Sequence, residues 1–192
     1  MTSLFRFVQA GAALAGLLTL DAAALEPQPA PIAVPQSAKV RVAFTPGDDA
    51  AGQIIDAIRQ SRKQVLVQAF SFTHDGIARA LVEAHKRGIE VKLIADRDQT
   101  EKMKRGQVAG IARGGVPVWL DSEHQGAHNK VMVIDAGQPY AQVITGSFNF
   151  TRAAQHKNAE NVVFISGNDA LIRAYAANWQ RHLAHARPLV IH

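Results

Sequence analysis

The chain of 192 residues contains no cysteine. That excludes disulfides, thiolate zinc sites and cysteine nucleophiles together, and leaves the compartment to be read from other features. Aromatic residues make up only 6% of the sequence, so no base-stacking platform is legible in it. No apolar run reaches the roughly 20 residues needed to span a bilayer; the N-terminal run over residues 7–20 is closed by Asp21. Apart from His124-x3-His128, no zinc-type histidine pair and no cluster of carboxylates stands out. His85, His182, His185 and His192 lack a strand or carboxylate setting that suggests ligation.

What is present reads as one globular domain behind an export signal. Hydrophobic residues make up 47%, enough for a sizeable core. Twenty-one Lys and Arg face 16 Asp and Glu, a net charge of +5, which favours polyanionic partners such as nucleic acid or an anionic membrane surface. Arg6, the apolar run and an A-x-A pattern at Ala22 and Ala24 have the layout of a secretory signal peptide over residues 1–24. The expected location is therefore periplasmic or secreted, with no stable membrane insertion after cleavage. Residues 25–38 are proline-rich and read as an extended linker. The folded domain is expected over 39–192.

Within it, strand patterns alternate with helical ones. Strands are predicted over 39–44, 64–72, 89–95, 116–120, 130–135, 142–145 and 161–165. Ile54, Ile55 and Ile58 mark one helix, capped by Asp48 or Asp49; Ile77, Leu81 and Val82 mark a second, capped by Thr73 or Asp75. A third is predicted over 99–113, a short one over 151–155 and a last one over 170–186. This alternation implies an α/β fold: a mixed, largely parallel β-sheet flanked by helices on both faces.

The chemistry concentrates between His128 and Glu160. In His128-x-Lys130, residues two apart on a strand face one side. A neutral imidazole can attack phosphorus while a neighbouring ammonium neutralises the developing charge. Lys130 precedes Val131, Met132, Val133 and Ile134, and a charge in such an apolar strand requires a partner, for which a phosphate is well suited. Asp135 follows, either as part of the site or as the cap of the turn after the strand. Gly146 then lets backbone approach a ligand, and Ser147 and Asn149 offer neutral donors to phosphate. Glu160 is expected to accept the second N–H of His128 and set its tautomer. Lys102, Lys104, Arg105, Arg113, Arg152 and Lys157 form either a solvated surface or a track for a phosphate backbone.

His128-x-Lys130-x4-Asp135 followed by Gly146-Ser147-x-Asn149 resembles the signature of the phospholipase D superfamily, and the single motif resembles its small bacterial endonuclease branch. The resemblance extends over roughly residue 39 to the C-terminal helix. It implies catalysis by His128, Lys130, Asp135 and Glu160, with Lys130, Gly146, Ser147 and Asn149 holding the substrate. It also implies a phosphohistidine on His128 and no metal or other cofactor. A second histidine must protonate the leaving group. One motif per chain then means a homodimer with a composite site. The expected substrate is DNA, RNA or both. The rival readings are a phospholipase D or cardiolipin hydrolase, and a non-catalytic nucleic-acid-binding module.

Overall fold

The computed structural model describes residues 30–103 and 105–191. The expected signal peptide and its cleavage site, Lys104 and His192 lie outside them. The described residues from 32 to 191 form one compact unit. In chain order its elements are β1 (Lys39–Thr45), α1 (Ala50–Gln60), β2 (Gln64–Ala69), α2 (Asp75–Lys86), β3 (Glu90–Asp96), α3 (Arg97–Lys102) and α4 (Val108–Arg113). They continue with β4 (Val118–Asp121), β5 (Lys130–Ile134), β6 (Gln142–Gly146), α5 (Arg152–His156), β7 (Glu160–Ser166), α6 (Asp169–His185) and β8 (Arg187–Pro188).

The strands form one eight-stranded sheet in the order β1-β7-β6-β5-β2-β3-β4-β8. It is mixed, as the pattern predicts, but mostly antiparallel rather than largely parallel. Only β2–β3 and β3–β4 run parallel, each joined through helices. The other neighbours are antiparallel. For β5 and β6 the reason lies in connection length. A parallel neighbour needs a crossover of a dozen or more residues, whereas a tight turn returns the chain antiparallel. Asp135, at φ 55, and Gly137, at φ 79, make such a turn between β5 and β6.

Strand alternation divides the core in two. Val65, Val67, Leu93, Met132, Ile134 and Ile144 face one side, where they bury Ile54 and Ile58 of α1 and Ile77 and Leu81 of α2. Leu66, Ile94, Val131, Val133 and Val143 face the other, against Ile172 and Trp179 of α6. Trp179 Nε1 donates to the Val67 carbonyl at 2.9 Å, satisfying the one polar atom of a fully buried ring. The helix expected over 99–113 is broken into α3 and α4. Between them the Gly106 N–H donates to the Met103 carbonyl and the Gln107 N–H to the Phe72 carbonyl, bonds that compete with a continuous helix. Capping follows the pattern at Asp49, which accepts from the Gly52 N–H. At α2 the cap is His74 rather than Thr73 or Asp75: its Nδ1 accepts from the Ile77 N–H at 3.3 Å.

Candidate active site

Strand direction gathers the chemistry at one end of the sheet. Because β5 is antiparallel to β2 and β6, and β6 to β7, the start of β5 lies beside the end of β2, the end of β6 and the start of β7. Lys130 pairs with Ala69, and Gly146 with Val162. The parallel strands β2, β3 and β4 end at the same edge.

His128 and Lys130 do share one side. The His128 ring is exposed, and Lys130 Nζ lies 3.0 Å from its Nδ1 and 3.3 Å from its Nε2. The ammonium also donates to the His128 carbonyl at 2.9 Å. Phe70, just beyond β2, completes the group. Its ring centroid is 4.2 Å from that of His128, and Lys130 Nζ stands 4.9 Å above it, a cation–π contact. Nothing in the sequence marks Phe70 for this place, since it reads as the end of a strand. Lys130 is only 8% exposed. Burial pushes its ammonium below the ordinary lysine range, and the negative charge of Glu160 partly offsets that.

Asp135 is not part of this group. It follows the last residue of β5, so it stands roughly 17 Å from Lys130 at about 3.4 Å per residue. Its carboxylate accepts from the backbone N–H groups of Arg62, Lys63 and Gln64, at 2.9, 2.7 and 2.8 Å. It closes the turn from α1 into β2 from the far end of the sheet, and the expectation of a catalytic role fails on distance.

Glu160 and Ser147 are near the site but oriented otherwise than expected. The Glu160 carboxylate accepts from Ser147 Oγ at 2.6 Å and from Asn158 Nδ2 at 2.9 Å, and not from His128. Lys130 Nζ stands beside the ring instead, where only the nitrogen without a proton can accept from it. Ser147 Oγ also accepts from the Asn161 N–H at 3.1 Å. With its one proton given to Glu160, Ser147 braces the turn and does not offer a free donor to phosphate. Gly146 is required for a steric reason. Its φ is 147, and a Cβ there would sit 2.2 Å from the Asn161 carbonyl oxygen. Asn149 carries a buried Oδ1, an acceptor, that no described residue satisfies.

An open cleft of about 830 Å³, lined by Thr73, Asp75, Arg105, Gly106, Gln107 and Arg152, adjoins the segment after Asn149. The Thr73 N–H donates to the Phe150 carbonyl, which ties the two together. Of the basic residues in the sequence, Arg105 and Arg152 face this cleft. Lys102 is paired with Asp98 at 3.0 Å, and Arg152 with Asp75 at 2.7 Å.

A depressed lysine loses its charge early as pH rises. The alkaline limb of kcat/KM on a phosphodiester substrate is therefore expected below the ordinary lysine value of about 10.4. Glu160→Gln removes the offsetting charge and moves the limb lower still. An unmoved limb in Glu160→Gln would show that Lys130 is not the titrating group.

Comparison with known proteins agrees with this geometry. Residues 54–183 match the family model described as cardiolipin synthase, PLD-like domain. A phospholipase D of Rickettsia bellii is 38% identical over 73% of this chain and 67% of its own length. A mitochondrial cardiolipin hydrolase of Xenopus tropicalis is 28% identical over 70% of this chain and 61% of its own. Among solved structures, the phospholipase D family member Nuc of Salmonella typhimurium superposes with a TM-score of 0.73 at 34% identity, covering 80% of this chain and 99% of that one. NucT of Helicobacter pylori shares the fold, with a TM-score of 0.71. Motif, sheet and relatives agree: the chain belongs to the phospholipase D superfamily, and is an enzyme of its phosphodiesterase class.

Proposed function

We propose that this phosphodiesterase is a metal-independent endonuclease that cleaves DNA, RNA or both as a homodimer. The observation that carries the reading is the contact of a buried ammonium with both nitrogens of an exposed imidazole. An imidazole nitrogen of His128 attacks phosphorus, the P–N bond forms and the P–O bond to the leaving group breaks. Lys130 turns from the imidazole to the non-bridging oxygens, and the Asn149 amide contributes a second donor. A second imidazole protonates the leaving oxygen, then takes a proton from water, which displaces His128 and restores it. With one motif per chain, that second imidazole is His128 of the partner subunit.

Two surfaces support this reading. The cleft beside the site presents Arg105, and Arg152 paired with Asp75, a net positive wall for a phosphate backbone. On β1, Val40, Val42 and Phe44 are 60%, 41% and 62% exposed and alternate along one face of an edge strand. Phe44 pairs with Asn161 at the site end of the sheet. An apolar stripe that runs up to the site suits a two-fold interface that completes it.

The test is plasmid DNA and RNA cleavage beside phospholipid hydrolysis, all in excess chelator. Nucleic-acid cleavage that survives chelator is the expected result. Cleavage of phospholipid alone favours the hydrolase of lipids, and loss of activity restored by Mg²⁺ overturns the metal-free step. Dilution below the dimer dissociation constant should abolish activity, and Phe44→Asp should raise the concentration at which this happens. A fully active monomer in light scattering would refute the composite site. Export is proposed from the N-terminal sequence, with N-terminal sequencing near Ala24 as its check. Among the described residues no helix is long and apolar enough to cross a membrane.

A further inference from the structure

Three histidines that sequence reading left aside meet around one buried carboxylate. Asp121 ends β4 with its side chain fully enclosed. Its Oδ2 lies 2.7 Å from His182 Nδ1 and 3.2 Å from His185 Nε2, and its Oδ1 accepts from the Glu123 N–H at 3.1 Å. His124, on the loop that follows, joins them: the three imidazole centroids are 5.2 to 5.4 Å apart. One ligand atom from each of the four residues lies within 4.8 Å of all the others. From this geometry we infer that Asp121, His124, His182 and His185 form a structural zinc site.

The donor set is chemically apt. Three neutral imidazoles and one carboxylate give four ligands of the types that zinc accepts, and four protein ligands close a tetrahedron without an open position. Zn–N bonds of 2.0–2.1 Å place tetrahedral ligand atoms about 3.3 Å apart, so the present spacings need only side-chain rotation to converge. His182 and His185 are three apart on the last turn of α6, on one face. The negative end of that helix favours a cation. Asp121 is fixed by the Glu123 amide, as ligating carboxylates are by their surroundings. His124 is exposed, which leaves a route for the ion from solvent.

The site fastens the C-terminal turn of α6 to the loop that leads from β4 to His128. Asp96, the cap of α3, holds the same loop from its other side, accepting from the Ala127 N–H at 2.8 Å. Zinc here thus steadies the approach to the nucleophile while taking no part in its chemistry. It also reassigns His124, whose spacing to His128 suggests a pair in sequence but whose neighbours in space are on α6.

Tag-free full-length protein, stripped with dipicolinate and dialysed, should bind one equivalent of Zn²⁺ in titration calorimetry. Zinc in excess should raise Tm by about 5 °C or more, and Co²⁺ should give the intense visible bands of a tetrahedral site. His124→Ala, a change on an exposed loop, should weaken binding at least tenfold. His182→Ala with His185→Ala should abolish it, and the His124 variant keeps the test valid if that pair fails to fold. No stoichiometric uptake, uptake unchanged in His124→Ala, or uptake lost only in His128→Ala would each overturn the proposal. The readouts are separable from catalysis: in chelator, nuclease activity at moderate temperature should persist while Tm falls.

Discussion

His128→Ala is expected to lower kcat/KM on plasmid DNA by at least on the order of 10³-fold, because it removes the atom that forms the covalent intermediate in the proposed mechanism. The fold should survive. The ring is exposed, and its contacts are with Phe70 and Lys130 rather than with the core. His128→Asn, which keeps some size and polarity, should be equally inactive, with a Tm within a few degrees of the parent. In the proposed composite site both copies of the ring act on one phosphate, so a mixed dimer of one intact and one His128→Ala chain should fall far below half activity. Activity of His128→Ala within tenfold of the parent would remove the nucleophile assignment. A large fall in Tm would instead make the loss of activity a loss of fold. Lys130→Ala mixed with His128→Ala should not rescue, because each mixed dimer still lacks one imidazole and one ammonium.

Asp135→Ala should destabilise the protein by about 3 kcal/mol without touching the chemistry. Three backbone N–H groups, of Arg62, Lys63 and Gln64, converge on this carboxylate. A hydrogen bond to a charged group contributes roughly 1.5–3 kcal/mol, although partly solvated amides recover some of that from water. Alanine also fits poorly at φ 55, where Asp, Asn and Gly are tolerated. Against a total stability of about 5–15 kcal/mol, such a loss is large. Urea denaturation should show a lower midpoint with an unchanged slope. Asp135→Asn keeps the turn conformation and one acceptor oxygen, and should lose less. The distinguishing readout is activity per folded molecule, which should stay within a few-fold of the parent. If it collapses while stability holds, the residue acts in the reaction despite its distance.

These two residues belong to one sequence motif yet do different work, which shows how far a linear pattern reaches. His128 and Lys130 are two apart on a strand, so local geometry alone puts them on one side, and the contact between them follows. The continuous apolar run of β5 and the isoleucine spacing of α1 likewise read directly, because burial on both faces of a strand, or on one face of a helix, imposes such patterns. Asp135 sits after an entire strand, and its partners lie in the α1–β2 turn, more than seventy residues earlier. Its assignment to the site came from membership in the motif, and distance in space decides against it.

Glu160 and Ser147 illustrate a subtler limit. Their residue types promised a tautomer-setting acceptor and a phosphate donor. In the folded chain they satisfy each other first, because two polar groups brought together at 2.6 Å spend the capacity each was expected to offer elsewhere. Phe70 shows the reverse: an unremarkable strand end becomes the floor of the site once β2 and β5 pair.

Sequence by itself determined most of the local elements, the absence of thiol chemistry, the family and the His-x-Lys pair, since each rests on composition or on neighbours a few residues apart. It also determined that helices cover both faces of a mixed sheet. Tertiary structure decided the balance toward antiparallel pairing, which depends on strands far apart in the chain, β1 with β7 and β2 with β5, becoming neighbours. It decided the separation of Asp135 from the site. It alone brought Asp121 and His124 to His182 and His185, about sixty residues away along the chain. Ligand geometry is a property of distances between side chains, and for residues so far apart only the packing of α6 against the sheet defines them.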